Sequence, residues 1–251
     1  MHPLSLQRAK GFTLVELILA LFVGGLLMSA IYFTMISGQK SSAGVERKVA
    51  AQQDVRAALE IMAMELSMAS YNPTYQMGPW VKGPSVPSAS GDCVVGGNPA
   101  NRGIQEATGT SLTVEMDIGE NGTIGGADAN EVIRYDYDAA EEHITRSTNC
   151  GTTQPFLGAA SSAAVGTRTV RVINSSVGIN NGPTEGVPAI FRYYDSNGNE
   201  LFPGTKAADI PNIRRIDIAL AVETEEKDPS TKAYRQMIYS TSVLVRNHAV
   251  D

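Results

Sequence analysis

The sequence predicts an α+β fold: a long N-terminal helix, its first half transmembrane and its second half amphipathic, packed on an antiparallel β-sheet head. Three observations predict it. Residues Phe12 to Ile36 form a nearly uncharged apolar run, residues 45–69 repeat apolar side chains at helical spacing, and beyond Pro73 short β-like runs alternate with Gly, Asn, Ser and Pro. A helix followed by strands is the order in which a helix covers one face of an antiparallel sheet. No internal repeat is visible, and nothing marks a second domain within the head.

The apolar run reads FTLVELILALFVGGLLMSAIYFTMI, 25 positions with one ionisable side chain, Glu16. Roughly 20 such residues span a hydrocarbon core at 1.5 Å rise each. A soluble core helix of this length would show a polar face, and a secretory signal has a shorter apolar stretch followed by a small-residue cleavage site. The preceding segment MHPLSLQRAKG carries Arg8 and Lys10, which places the N-terminus in the cytoplasm and the rest outside. Gly24-Gly25 either bends the span or lets helices pack closely.

Glu16 is the anomaly. A carboxylate inside an apolar helix costs about 2.5–3.5 kcal/mol on insertion scales, so it calls for a partner. A cut between Gly11 and Phe12 would create an α-amino group four residues away, a cation able to offset the charge within one chain or between neighbours.

Gly11-Phe12-Thr13-Leu14-Val15-Glu16-Leu17 behind a short basic leader closely resembles the cleavage motif of type IV pilins and pseudopilins. The resemblance implies a type IV pilin-like fold, cleavage by a prepilin peptidase between Gly11 and Phe12, and N-methylation of Phe12. It places Glu16 at the fifth mature position, where the family's glutamate pairs with a neighbouring N-terminus during assembly. Residues 1–11 are then a cleaved leader, 12–36 the transmembrane segment, 37–72 the amphipathic stalk and 73–251 the head. Removing the leader, with two basic residues and no acid, takes the formal charge from −6 to −8.

The stalk sequence places Val45, Val49, Val55, Leu59, Met62, Leu66 and Ala69 on one stripe, with Gln52 the misfit. Glu46, Lys48, Asp54, Arg56, Glu60 and Glu65 fall mostly away from it. Met62, Met64 and Met68 read as adaptable core packing. The helix is expected to stop near Tyr71-Asn72-Pro73, making one rod from Phe12 to Ser70 of about 88 Å. Expected strands are Ser111–Ile118, Glu131–Tyr137, His143–Ser147, Thr167–Ile173, Ala189–Tyr194, Ile213–Val222 and Tyr234–Val245. Asp195 to Gly198 reads as a tight turn, Glu223 to Ala233 as a long exposed hairpin loop and Gly78 to Arg102 as irregular.

Within the family, QQDVRAALEIMAMELSMASYNP followed by a β-rich head resembles minor pilins of the PilW type. The head shares only the layout, including FRYYDSNGNEL. Many major pilins carry a proline in the later apolar run, and this chain has none between Phe12 and Asn72. The nearest rival is the J-like pseudopilin of type II secretion, for which the mature chain is long. An adhesin or ligand-binding head carried by the pilus is a further alternative. The implied partners are other minor and major pilins, the prepilin peptidase, the inner-membrane assembly platform and the membrane. The implied location is a single-pass inner-membrane protein with a periplasmic head, later at the cell surface.

Cys93 and Cys150 both lie beyond the span, where an oxidising compartment favours one disulfide. Asp117, Asn121 and Asp128, with Gly122 and Ile124, partly match a calcium loop, but Gly119 replaces a ligand and the last donor is not Glu. A Gly/Asn-rich hairpin is the simpler reading, and Asp195, Asn197 and Asn199 form a weaker second candidate. Gly38-Gln39-Lys40-Ser41 lacks the Gly-Lys pair of a phosphate loop, and no G-x-S-x-G, H-E-x-x-H or dinucleotide fingerprint occurs, so no enzyme is expected. His143 and His248 read as surface or packing residues. Trp80 reads equally as an interface anchor or a cap on the core edge. Lys40, Arg47, Lys48 and Arg56 make a small basic zone on the stalk, which would face headgroups or simply solvent. The overall acidity gives no footprint for nucleic acid.

Overall fold

The computed structural model describes residues 11–75, 79–82, 93–95, 97–125, 128–158, 169–177 and 189–249. Helix α1 (Leu14–Ser67) runs unbroken for 54 residues, about 81 Å at the standard rise. Gly24-Gly25 does not interrupt it, and a side chain at either position would meet open space. Within the apolar half, Ser29 and Thr34 satisfy their hydroxyls on the carbonyls of Gly25 and Ala30, both at 2.8 Å. The helix ends four residues before Tyr71. The cause is tertiary: Ser70 turns to a positive φ of 65° and donates its N–H to the Glu115 carbonyl at 2.8 Å, leaving the helical path.

Among the described residues the head holds two five-stranded sheets. The first is an antiparallel meander of β3 (Ile104–Ala107), β4 (Ser111–Glu115), β5 (Val132–Asp138), β6 (His143–Thr148) and β7 (Gln154–Leu157). A small pair, β1 (Val81–Lys82) with β2 (Val94–Val95), precedes it. In the second sheet β9 (Phe191–Tyr194) pairs with β10 (Glu200–Leu201) and with β11 (Arg215–Thr224). Strand β8 (Val170–Val172) continues the same side of β11, and β12 (Gln236–Leu244) pairs along its other side in unbroken register. A one-turn helix, α2 (Asn174–Val177), follows β8.

All seven expected strands form with shifted ends: β4, β8, β9 and β12 are shorter than expected, β5 and β11 slide toward the C-terminus by one and two residues, and β6 gains one residue. Five short ones, β1, β2, β3, β7 and β10, were not expected, and the segment expected to be irregular contains the β1–β2 pair; its residues 78, 83–92 and 96 lie outside the described residues. The Asp195–Gly198 turn forms as read: Asp195 accepts the amides of Asn197 and Asn199, both at 2.8 Å, with Gly198 at φ +83°.

One core joins the stalk to both sheets. Ala51, Val55, Ala58, Leu59, Met62 and Leu66 of α1 pack with Leu112, Tyr135 and Ile144 of the meander and Ile216, Ile218, Leu220 and Val222 of β11. The burial begins one turn later than the sequence stripe, so Val45 and Val49 stay exposed while Ala51 and Ala58 go inside. Met62 is core and Met68 packs half-buried against it, but Met64 is 60% exposed and lies outside that core. The path from helix to meander requires glycine at 103, where a Cβ would stand 2.5 Å from Ser70 N and from the Glu115 carbonyl oxygen.

Candidate functional site

The N-terminal end is a helix start built from Thr13 and Glu16. Thr13 is the N-cap, with extended φ −81° and ψ 153°, and Glu16 sits at the third helical position. The Glu16 carboxylate accepts the Thr13 N–H at 2.9 Å and its hydroxyl at 3.1 Å, while Thr13 Oγ1 accepts the Glu16 N–H at 3.3 Å. This reciprocal capping box satisfies two of the amides that every helix start leaves without partners. The signal T-x-x-E was present in the sequence, although the carboxylate there suggested only a charge seeking a partner. Phe12 is 89% exposed immediately before the cap, so the Gly11–Phe12 bond is accessible. Phe12 immediately precedes the cap, four residues before Glu16 in the chain.

From Leu14 through Val49 no helix residue is buried, and the most apolar window of the helix touches nothing else in the chain. By length and composition it can cross a membrane. The family described as the prokaryotic N-terminal methylation motif matches residues 6–32. The N-terminal end of this chain is type IV pilin-like. The match takes in Gly11 and Phe12, the capping box and most of the apolar run. No curated protein and no solved structure matches the chain, so the head is read from its own residues.

The pilin-like helix is tied to the head by Glu65, which the sequence placed on the solvent side. Arg146 of β6 grips it with two bonds, Nη2 to Oε1 at 2.6 Å and Nε to Oε2 at 3.1 Å. The Tyr135 hydroxyl donates to the same carboxylate. Both ionic side chains are largely covered, at 13% and 23% exposure. Burial and the neighbouring carboxylate push the Tyr135 hydroxyl well above its usual range, so it stays a donor.

Cys93 and Cys150 form a disulfide with their Cα atoms 5.3 Å apart. It closes a loop of 57 residues, about 4 kcal/mol in the chain-entropy account. The bridge sits in a second apolar cluster with Val81, Ile124, Val132 and Trp80. Trp80 is therefore a cap on this cluster within the chain.

The structure brings Asp117, Asn121 and Asp128 together in the β4–β5 loop, but turns their oxygens toward hydrogen-bond donors. Asp117 accepts the amides of Asn121 at 3.2 Å and Gly122 at 3.0 Å and the Thr74 hydroxyl at 3.3 Å. The Asn121 side-chain amide donates to Asp128. Fully buried Glu131 accepts the amides of Gly119 at 3.1 Å and Gly125 at 3.0 Å. These bonds build a stiff hairpin rather than a cage of convergent oxygens. Among the described residues no group of three or more His, Cys, Asp or Glu side chains could hold a metal ion.

His248 belongs to the packing rather than to a free tail. Its Nδ1 meets the Ser70 hydroxyl at 2.8 Å and its Nε2 the Ile210 carbonyl at 2.9 Å, while Arg102 donates to its backbone carbonyl at 2.8 Å. Burial, with the charges of Arg214 and Arg102 adding, holds its pKa down at about 4. Glu115 is the opposite case. It is fully buried with one oxygen on the Val81 amide at 3.1 Å, and burial pushes its pKa up to about 9.

The two groups shape stability in different windows. Between pH 4 and 6.5 the unfolded chain binds the His248 proton that the folded chain rejects, so this group's contribution rises with pH and is complete above 6.5. Between pH 4.5 and 9 the folded chain keeps the Glu115 proton that the unfolded chain releases, so stability falls with pH through that window. The effects oppose one another up to 6.5, and only the Glu115 decline remains above it. Thermal unfolding followed by the near-ultraviolet circular dichroism of the tyrosines and Trp80 is expected to show a decline from pH 6.5 to 9 of about 3 kcal/mol. Glu115→Gln is expected to flatten that decline; an unchanged slope would remove Glu115 as its cause.

Proposed function

We propose that this chain is a minor type IV pilin of the PilW type, a non-enzymatic subunit that primes or joins pilus assembly from the inner membrane. The observation that carries the proposal is the pilin-like start on a helix whose first 36 positions, Leu14 to Val49, have no buried residue. Its apolar part, up to Ile36, is stable in a bilayer and, after extraction, among the apolar helices of other subunits. In that role the peptidase cuts after Gly11, and Phe12 becomes the methylated N-terminus. Glu16 then pairs with the amine of an adjacent subunit to set the register. The partners are other minor and major pilins and the assembly platform, and the head lies in the periplasm before it reaches the cell surface. The proline-free run from Phe12 to Asn72 and the large disulfide-stapled head suit a minor subunit better than a shaft subunit.

Deletion of the gene is expected to abolish or strongly reduce surface pili while the major subunit is still made. Normal pili with an exoprotein retained in the periplasm would instead identify a J-like secretion pseudopilin. Normal filaments that no longer attach would identify a carried adhesin.

A further inference from the structure

The β11–β12 connection is mostly exposed, as expected, but Glu226 to Asp228 are pressed against the stalk where the helix leaves the apolar run. Asp228 lies so close to Gly44 that a Cβ there would stand 3.1 Å from its Oδ2. Arg47 pairs with Glu226 at 2.6 Å and donates to the Lys227 carbonyl at 3.0 Å. Asp228 is buried and held far below the usual carboxylate range, first by the Ser230 hydroxyl and then by Arg235. The hairpin tip is thus a built, rigid element facing the membrane end of the stalk.

The charges at this end are sorted. After the leader the chain has six lysines, and four of them meet here: Lys40 and Lys48 on the stalk, Lys227 and Lys232 on the hairpin. Lys40, Gly44 and Lys48 are spaced by four, so they share the helix stripe that meets the hairpin. The nearby carboxylates are engaged by arginines: Glu226 by Arg47, Asp228 by Arg235, and Glu142, Glu223 and Glu225 all by Arg171, which leaves negative charge over around that one arginine. Glu46 accepts a bond from Ser42. None of the four lysines forms an ion pair among the described residues, and Lys227 lies over the Tyr234 ring at 5.2 Å. In a chain that is otherwise acidic, four lysine ammonium groups without a carboxylate partner among the described residues lie at one end.

That end is close to the bilayer. Ile36 closes the apolar run, Lys40 lies about 6 Å farther along the helix and Gly44 about 12 Å. The headgroup layer is roughly 5–7 Å deep on each side, and an anionic surface acts over about 8 Å more at physiological salt. Lys48, about 18 Å beyond Ile36, stands above that reach. We propose that Lys40, Lys227 and Lys232 form a contact surface for anionic phospholipid headgroups, which holds the base of the head down on the membrane. The inference rests on the membrane anchoring of the apolar helix and not on which assembly the subunit serves.

The test uses the full chain reconstituted in vesicles of phosphatidylcholine alone or with about one third phosphatidylglycerol. Amide hydrogen exchange is read over residues 225–235. Exchange is expected to be at least about fivefold slower in the anionic vesicles, since each lysine near such a surface contributes about that factor. The difference is expected to vanish at about 0.5 M salt and in the variant Lys227→Gln/Lys232→Gln, with exchange in β5 and β11 unchanged. Equal exchange in the two lipids, in a chain that still floats with the vesicles, overturns the proposal alone. A chain that does not float with either vesicle overturns the anchoring, and the proposal with it.

Discussion

Glu16→Ala and Glu16→Gln are both expected to reduce incorporation into the assembled structure at least about tenfold, with the precursor still made and inserted. The pair separates two roles of one carboxylate. As the third residue of the capping box, Glu16 binds the Thr13 amide at 2.9 Å, and losing such a cap costs about 1 kcal/mol. Glutamine fills that position nearly as well, because its amide oxygen also accepts the N–H. Glutamine cannot neutralise an ammonium group in an apolar surrounding, where an unpaired charge is costly. Under the proposed assembly role both variants therefore fail alike. Normal incorporation of Glu16→Gln with failure of Glu16→Ala would reduce Glu16 to a helix cap. Incorporated subunit is measured by immunoblotting sheared filaments against whole cells.

Arg146→Met is expected to destabilise the head by about 3–5 kcal/mol, the usual cost of leaving one partner of a covered ion pair without the other. Glu65 would keep the Tyr135 hydroxyl but lose both guanidinium bonds. The double variant Glu65→Met/Arg146→Met is expected to recover most of the loss, since two apolar side chains of similar length replace the pair without leaving a buried charge. Chemical denaturation of the two single variants and the double variant closes the cycle. Three equal losses would mean that Arg146 acts by packing alone. The result also bears on assembly, because this clamp joins the last turns of the stalk helix to the meander.

The parts legible in the sequence were those with local periodicity. Val55, Leu59, Met62 and Leu66 mark the buried stalk face by spacing, and Ile216, Ile218, Leu220 and Val222 alternate along β11. The start of the helix was equally legible, though T-x-x-E was read for its charge and not for its cap. The missed strands are short and weakly patterned. Gln154 to Leu157 has four residues, a proline and a shifted register against β6, all features of an edge strand. Val45 and Val49 fit the stripe but lie below the head, and no local pattern tells where a helix meets its sheet.

The remaining features depend on distant residues. Glu65 reads as a solvent-facing acid until Arg146, 81 positions later, is placed beside it. His248 reads as tail until the fold seats it between Ser70 and Ile210. The stalk half of the basic end, Lys40 to Arg56, was visible in the sequence, but Lys227 and Lys232 join it only once the fold brings the hairpin to the stalk.

The central claim is that this is a processed pilin-like subunit anchored and assembled through its N-terminal helix. Mass spectrometry of the N-terminal peptide of the protein purified from cells that carry the prepilin peptidase tests it most directly. The account predicts a chain that begins at N-methylated Phe12, and an uncut precursor in cells lacking the peptidase. An intact residue 1–11 segment in cells with active peptidase, or a mature N-terminus at any other residue, would contradict it.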